Sequence, residues 1–149
     1  MSSRPLGGRT ILVADDKQEL LDMLADALGE AGADVITARN GEEALQHLRT
    51  RRFDALVSDL KMPRMNGHEL LRALRSMAQE EKRTLPAIAV SGEDSWKYLD
   101  PFAAALAGFD YHFIKPVMPD VLIEQLARLM PPTGGDGTKK NTRKLPRVA

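Results

Sequence analysis

The amino-acid sequence predicts an α/β fold, a doubly wound five-stranded parallel sheet flanked by five helices. Short apolar segments and segments of helical periodicity alternate five times along the chain. Most apolar segments are nearly continuous instead of alternating with polar residues, which is typical of strands buried on both faces of a parallel sheet. Because right-handed crossovers join such strands, this order predicts helices on both faces.

The five predicted strands are short. Four of them are rich in Ala, Val, Ile and Leu, whereas the fifth mixes aromatic, polar and aliphatic residues. They span residues 10–14, 35–38, 55–58, 87–90 and 111–114.

The first two helices have clear ends in the sequence. Apolar residues recur at three- and four-residue steps from Leu20 to Leu28, and Gly32 provides a stop for this helix. Asn40 is a candidate N-cap with Glu43 three residues later, a pattern that indicates the start of a second helix.

The other three helices follow strands three, four and five. Leucines at helical spacing after Gly67 predict the third helix. For the fourth, Pro101 fits the first helical position after a cap at Asp100, which leaves residues 92–99 as a loop. The fifth begins at Pro119.

The composition excludes several classes of protein. The chain has 149 residues, of which 43% are hydrophobic and 28% charged, so it can form one globular domain. It has no cysteine and therefore no disulfide or thiolate metal site. No apolar run approaches the roughly 18–20 residues that cross a bilayer, and the N-terminus does not resemble a secretory signal. We therefore expect a cytoplasmic protein without a membrane partner.

The charge is divided between two parts of the chain. We expect residues 1–8 to be an N-terminal lead, residues 9–131 the folded domain, and residues 132–149 a disordered basic tail or linker stub. The chain has 21 basic and 21 acidic residues, but the tail has five basic residues and one acidic residue. The tail thus carries +4 and the remainder −4. A short basic tail gives at most weak, salt-sensitive binding to polyanions, so we expect no specific nucleic-acid partner.

Polar side chains stand at the ends of four predicted strands. Asp15 and Asp16 follow the first strand, Asp59 the third, Ser91 the fourth and Lys115 the fifth. In doubly wound sheets, functional groups gather at the carboxyl ends of the strands. Clustered carboxylates repel one another unless a cation compensates, and Mg²⁺ prefers oxygen ligands. The pattern predicts a Mg²⁺ site, with Mn²⁺ as an alternative ion, where a carboxylate can accept a phosphoryl group.

Five motifs in this order resemble those of response-regulator receiver domains of two-component signalling. They are Ile11-Leu12-Val13-Ala14-Asp15-Asp16, Val57-Ser58-Asp59-Leu60-Lys61-Met62-Pro63, Met65-Asn66-Gly67, Ala89-Val90-Ser91-Gly92 and Phe113-Ile114-Lys115-Pro116. The resemblance covers about residues 9–131. It implies the flavodoxin-like fold of chemotaxis regulators.

The resemblance also implies roles for the acidic residues. Asp59 is expected to be the phosphoacceptor. Asp15, Asp16 and Asp59 are expected to hold the metal ion, together with the backbone carbonyl of Lys61.

Further roles implied by the resemblance concern strands four and five. Ser91 and Lys115 are expected to contact the phosphoryl group, and the peptide bond before Pro116 is expected to be cis. Family members often have Tyr or Phe three residues before the lysine as a rotating switch, whereas this sequence has His112. We expect Ser91 and His112 to form the switch, with the charge of His112 near neutral pH as a variable.

The expected function is that of a phosphoacceptor and not of an enzyme that turns over an external substrate. A histidine kinase or a histidine phosphotransfer protein would donate the phosphoryl group. Output would be altered binding of a downstream protein through the fourth helix, fifth strand and fifth helix, by a monomer or a phosphorylation-dependent dimer.

Three alternatives remain open from the sequence. The chain could be a receiver excised from a hybrid sensor kinase or larger regulator, or a pseudo-receiver that binds partners without phosphorylation. A phosphatase with an aspartate nucleophile would need a second aspartate two residues after Asp59, where this chain has Lys61.

Overall fold

The structure, a computed structural model, describes residues 4–92 and 108–132. Its five strands form one parallel sheet in the order β2-β1-β3-β4-β5. The strands are β1 (Thr10–Ala14), β2 (Asp34–Ala38), β3 (Ala55–Asp59), β4 (Ala87–Ser91) and β5 (Tyr111–Ile114). The helices are α1 (Gln18–Glu30), α2 (Gly41–Thr50), α3 (Gly67–Arg75), α4 (Glu80–Arg83) and α5 (Pro119–Leu129). The predicted fold class is confirmed.

Three predictions lie outside the described residues. These are the helix from Pro101 to residue 107, most of the loop before it, and the disordered tail after residue 132.

The strand order places the acidic residues side by side. Strand β1 pairs with β2 on one side and β3 on the other, so the order reverses at β1 and leaves a crevice at its carboxyl end. Ala14 is in register with Ser58. Asp15 and Asp59 therefore follow at the same level of neighbouring strands.

Two apolar cores, one on each face of the sheet, hold the central strands in place. Leu12 and Leu56 pack with α2 and α3, whereas Ile11 and Val57 pack with α1 and α5. All four side chains are buried. Burial of each such side chain contributes about 1.5–3 kcal/mol to the free energy of unfolding. The packed cores therefore hold the ends of the central strands in fixed positions.

The starts of α2 and α3 are fixed by asparagine caps. Asn40 Oδ1 accepts a hydrogen bond from the Glu43 backbone N–H at 2.8 Å, which confirms the predicted cap. Asn66 and Glu69 form a reciprocal capping box. Gly67 follows this cap, and a Cβ atom there would lie 2.3 Å from the Asp59 carbonyl oxygen. The start of helix α3 therefore lies so close to the backbone of Asp59 that only glycine fits at position 67.

Two features were not predicted from the sequence. Helix α4 is a single turn whose four residues are all charged, so it has no apolar periodicity. Leu6, in the N-terminal lead, is fully buried, and its backbone N–H donates to the Ala31 carbonyl oxygen at 2.8 Å. The lead therefore packs against the end of α1.

None of the helices in the described ranges is long and apolar enough to cross a membrane.

Candidate functional site

Three carboxylates meet at the carboxyl edge of the sheet. Asp15 and Asp16 follow β1, and Asp59 ends β3. One carboxylate oxygen from each residue lies within 4.8 Å of the others. Asp15 and Asp59 are buried, being 2% and 5% exposed, whereas Asp16 is half-buried. Such a group is costly unless a cation compensates its charge.

Lys115 supplies one positive charge to this cluster. Its Nζ lies 2.9 Å from Asp15 Oδ2 and 3.4 Å from Asp59 Oδ2. The residue follows β5, where its backbone N–H donates to the Ser91 carbonyl oxygen at 2.7 Å. The peptide bond from Lys115 to Pro116 is cis, as predicted. The side chain thus reaches from the edge strand to the carboxylates of the two central strands.

The protonation of Asp59 reflects its surroundings. Burial, followed by the charge of Asp15, raises the pKa of Asp59 from 3.8 to about 6. The charge of Lys115 and the Lys61 N–H act in the opposite direction. Burial lowers the pKa of Lys115, but the hydrogen bond to Asp15 and the charges of both carboxylates outweigh it and leave that pKa raised. Near neutral pH, Asp59 is therefore ionised, and Lys115 and the Lys61 N–H compensate only part of the unfavourable effect of burial and of the Asp15 charge.

Backbone donors orient two of the carboxylates. The Lys17 N–H donates to Asp15 Oδ1 at 2.9 Å, and the Lys61 N–H donates to Asp59 Oδ1 at 3.4 Å. The Lys61 side chain is exposed. The bond from Lys61 keeps its peptide beside the cluster, while the role of its carbonyl oxygen as a metal ligand stays a prediction.

Ser91 and His112 form a separate contact next to the cluster. Ser91 Oγ lies 2.8 Å from His112 Nε2, and no hydrogen bond among the described residues joins Ser91 to Asp59. Tyr111 and Phe113, which flank His112 on β5, pack into the core on the face of the sheet opposite to His112, as the alternation of side chains along a strand predicts. Burial, and then the charge of His68, lower the pKa of His112 below 6.5. His112 is therefore neutral near pH 7.

His68 is a polar residue whose position the sequence did not reveal. It lies in the first turn of α3, with its ring edge-on to Phe109 at a centroid distance of 6.3 Å. Its Nε2 atom is buried and has no hydrogen-bond partner among residues 4–92 and 108–132. Burial, followed by the charge of Arg72, lowers the pKa of His68. No periodicity or motif in the sequence marks this residue.

Asp59→Asn is expected to stabilise the metal-free protein above about pH 6. Because the folded-state pKa is raised, ionisation of Asp59 costs folding free energy, and this cost appears as pH rises from about 4 to about 6. A shift of about two units corresponds to about 3 kcal/mol. Urea unfolding in EDTA should show this gain at about pH 7.5 and none at about pH 4.

Asp34→Asn is the matched control, because Asp34 is exposed at the start of β2. It should change the free energy of unfolding by less than about 0.5 kcal/mol. An Asp59→Asn protein less stable than wild type at both pH values would contradict the raised pKa.

Comparison with known proteins identifies the family. A family model described as the response regulator receiver domain matches residues 11–127. The chain belongs to the response regulator receiver family. It is thus a receiver domain of two-component signalling, as the five motifs indicated.

Individual relatives agree with this assignment. The CAI-1 autoinducer sensor kinase/phosphatase CqsS of Vibrio cholerae is 32% identical over 119 residues, which cover 80% of this chain and 17% of that protein. The chain therefore spans less than a fifth of that relative.

Solved receiver structures share the fold. The chemotaxis response regulator CheY4 of Vibrio cholerae has a TM-score of 0.71 and 31% identity, over 80% of this chain and 97% of that chain. The receiver domain of the sensor histidine kinase PA1611 from Pseudomonas aeruginosa, solved with a magnesium ion coordinated in its active site cleft, has a TM-score of 0.68 and 26% identity. That match covers 82% of this chain and 97% of the PA1611 chain.

The receiver fold brings the predicted site residues into two groups. Asp15, Asp16 and Asp59 meet at the crevice, where Lys115 contacts two of them. Ser91 contacts His112 instead. Register places Val90 beside Asp59, so Ser91 is one residue beyond the level of Asp59 on the neighbouring strand. The two groups are therefore adjacent and are linked through the backbone, where the Lys115 N–H donates to the Ser91 carbonyl oxygen. Among the described residues, the Ser91 hydroxyl forms no hydrogen bond with Asp59.

Proposed function

We propose that this receiver domain accepts a phosphoryl group on Asp59 from a histidine kinase or a histidine phosphotransfer protein, in a reaction that requires Mg²⁺. The observation that supports it most is the contact of Lys115 Nζ with Asp15 at 2.9 Å and Asp59 at 3.4 Å. A half-buried cation in contact with two buried carboxylates matches the need of phosphoryl transfer for charge neutralisation.

Among the three carboxylates, Asp59 is the best nucleophile. The contacts of Asp15 with Lys17 N and Lys115 Nζ are both 2.9 Å, whereas those of Asp59 with Lys61 N and Lys115 Nζ are both 3.4 Å. Asp59 is therefore held less tightly, and its raised pKa makes the ionised carboxylate more basic. Each Asp59 oxygen has one long contact of 3.4 Å, which leaves lone pairs available for a new bond.

The residues present fit a magnesium ion. Three carboxylates with oxygens within 4.8 Å of one another form a hard oxygen donor set. Lys115 and the exposed Lys17, 4.0 Å from Asp16, leave part of their negative charge uncompensated. Asp15, Asp16 and Asp59, with the carbonyl oxygen of Lys61, would hold the ion. When bound, Mg²⁺ supplies positive charge that draws phosphoryl oxygens to the site. The magnesium ion coordinated in the PA1611 receiver supports the same assignment here.

The transfer conserves bonds and charge. An oxygen of Asp59 forms a bond to phosphorus while the phosphorus–nitrogen bond of the donor phosphohistidine breaks, and the departing imidazole takes up a proton. Lys115 neutralises a phosphoryl oxygen as a point charge. The product is an aspartyl-phosphate on this chain. Each domain therefore accepts one phosphoryl group and does not turn over an external substrate.

The Ser91–His112 contact links the site to a surface. In the His112 tautomer whose Nε2 accepts, the single hydroxyl proton of Ser91 cannot be donated to both His112 and a phosphoryl oxygen. Phosphorylation would draw Ser91 toward Asp59 and release His112, which biases the surface around β5 and α5 between two states. The output is altered affinity for a downstream protein.

Intact-mass measurement tests this function. The protein is incubated with a small phosphodonor and Mg²⁺, and we expect wild type to gain one phosphoryl group, with no gain in Asp59→Asn or with EDTA. A gain by Asp59→Asn equal to that of wild type would overturn the assignment of the phosphoacceptor. No gain in wild type would favour a pseudo-receiver that binds partners without phosphorylation.

A further inference from the structure

Helix α1 has an exposed face on which every charged residue is acidic. Four carboxylates recur at steps of three and four residues, so they lie on one side of the helix. Met23, which is 42% exposed, lies among them. In the described parts of the chain, no basic side chain forms an ion pair with any of the four carboxylates. We call this set the acidic α1 face: Glu19, Asp22, Met23, Asp26 and Glu30.

Some exposed carboxylates on other helices form ion pairs, unlike the four of the acidic α1 face within the described ranges. On α5, Arg128 pairs with Glu124 at 2.9 Å, and on α2, Glu42 pairs with Arg64 at 3.2 Å. The last turn of α1 contains Glu30 and no basic residue. A carboxylate there opposes the negative end of the helix dipole, so a cation bound at this end would be favourable.

The basic tail leaves the fold beside this helix. Met130, just before the tail, is buried in the same core as Leu28 and Ala31 at the end of α1. The guanidinium of Arg9 donates to the Pro131 carbonyl oxygen. The chain is therefore anchored at residue 131 near the C-terminal end of α1.

The tail has the charge and the length to cover the acidic α1 face. Its five basic residues fall between residues 139 and 147. Seven residues from Pro132 to Lys139 can span at most roughly 25 Å, and the 13-residue helix α1 is about 20 Å long. Every part of the face is therefore within reach of the tail.

We propose that the basic segment 139–147 docks on the acidic α1 face of the same chain. Each exposed ion pair is weak, but the tether holds the segment at an effective concentration of the order of millimolar. The contact goes beyond phosphoryl transfer and does not depend on it.

Paramagnetic NMR tests the contact in the full chain. Since the sequence has no cysteine, Asn141→Cys can carry a single nitroxide label. We expect the amide signals of α1, from Asp22 to Glu30, to broaden more than those of α2, which packs on the opposite face of the sheet. This broadening should be largely lost between about 0.01 M and 1 M salt, as the screening length falls from roughly 30 Å to 3 Å.

Charge reversal provides the matched variants. Replacing Lys139, Lys140, Arg143 and Lys144 by Glu should remove the broadening of α1. Adding Asp22→Lys and Asp26→Lys to that variant should restore it. Equal broadening of α1 and α2, or broadening that survives charge reversal in the tail, would overturn the proposal.

Two further measurements separate related outcomes. A mixture of isotope-labelled protein with spin-labelled, unenriched protein detects contacts between copies, and broadening of α1 in that mixture would overturn docking within one chain. Phosphoryl gain on Asp59 from a small donor should be unchanged by the tail substitutions. The contact and the proposed function can thus fail independently.

Discussion

Lys115→Met is expected to destabilise the metal-free protein by about 3 kcal/mol and to slow phosphorylation of Asp59 by the order of a hundredfold. The substitution removes the cation that lies 2.9 Å from Asp15 and 3.4 Å from Asp59. Two buried carboxylates then face each other without compensation. The loss of stability should be large near pH 7.5 and smaller at about pH 4, where Asp59, whose pKa is raised to about 6, is protonated in the folded chain.

The loss of Lys115 should also raise the response to Mg²⁺. Because the ion then supplies the missing positive charge, Mg²⁺ should increase the melting temperature of Lys115→Met more than that of wild type. Lys17→Met is the control at the same edge, since the Lys17 side chain is 71% exposed and lies 4.0 Å from Asp16. Equal effects of the two substitutions would show that Lys115 does not compensate the cluster.

Arg75→Met is expected to lower the free energy of unfolding by about 3–5 kcal/mol. The Arg75 guanidinium donates to the carbonyl oxygens of Gly108 at 2.7 Å and Leu85 at 2.6 Å, and lies 3.4 Å from Asp110 Oδ2. That same carboxylate oxygen accepts the Ala87 backbone N–H at 2.9 Å. Removal of the guanidinium leaves a buried carboxylate and several carbonyl oxygens without this donor.

Arg72→Met is the matched control for Arg75. Arg72 lies on the same helix and is exposed, so its loss should change stability by less than about 0.5 kcal/mol. Urea unfolding of both variants measures the difference. A loss below about 1 kcal/mol for Arg75→Met would mean that the network at the start of β4 and β5 is dispensable.

The fold and the acidic edge of the sheet could be predicted because short, continuous segments of the sequence specify them. Each strand is one short apolar run, and Asp15, Asp59 and Lys115 directly follow such runs in the sequence. In a parallel sheet, residues that follow strands meet at one edge, so the convergence needed no knowledge of individual contacts. Asn40 likewise marked the start of α2 within four residues of sequence.

The features that escaped prediction depend on contacts between distant residues. Arg75 follows the pattern of an exposed helical cation, yet it binds a carbonyl oxygen 33 residues later. Leu6 is an isolated apolar residue in a segment without periodicity, and its burial depends on where α1 ends. The Ser91–His112 bond needs the pairing of β4 with β5 to bring the two side chains together.

Locating the phosphoryl group within one peptide tests the central claim most directly. Trypsin cleaves after Arg52 and Lys61, and the resulting peptide contains both Asp54 and Asp59. Borohydride reduces an acyl phosphate to an alcohol, so mass spectrometry of the reduced peptide identifies which aspartate was phosphorylated. After incubation with a small phosphodonor and Mg²⁺, we expect the alcohol at residue 59, with Asp54 intact and no conversion in EDTA. Conversion at Asp54, or at Asp15 or Asp16 with Asp59 unmodified, would contradict Asp59 as the phosphoacceptor.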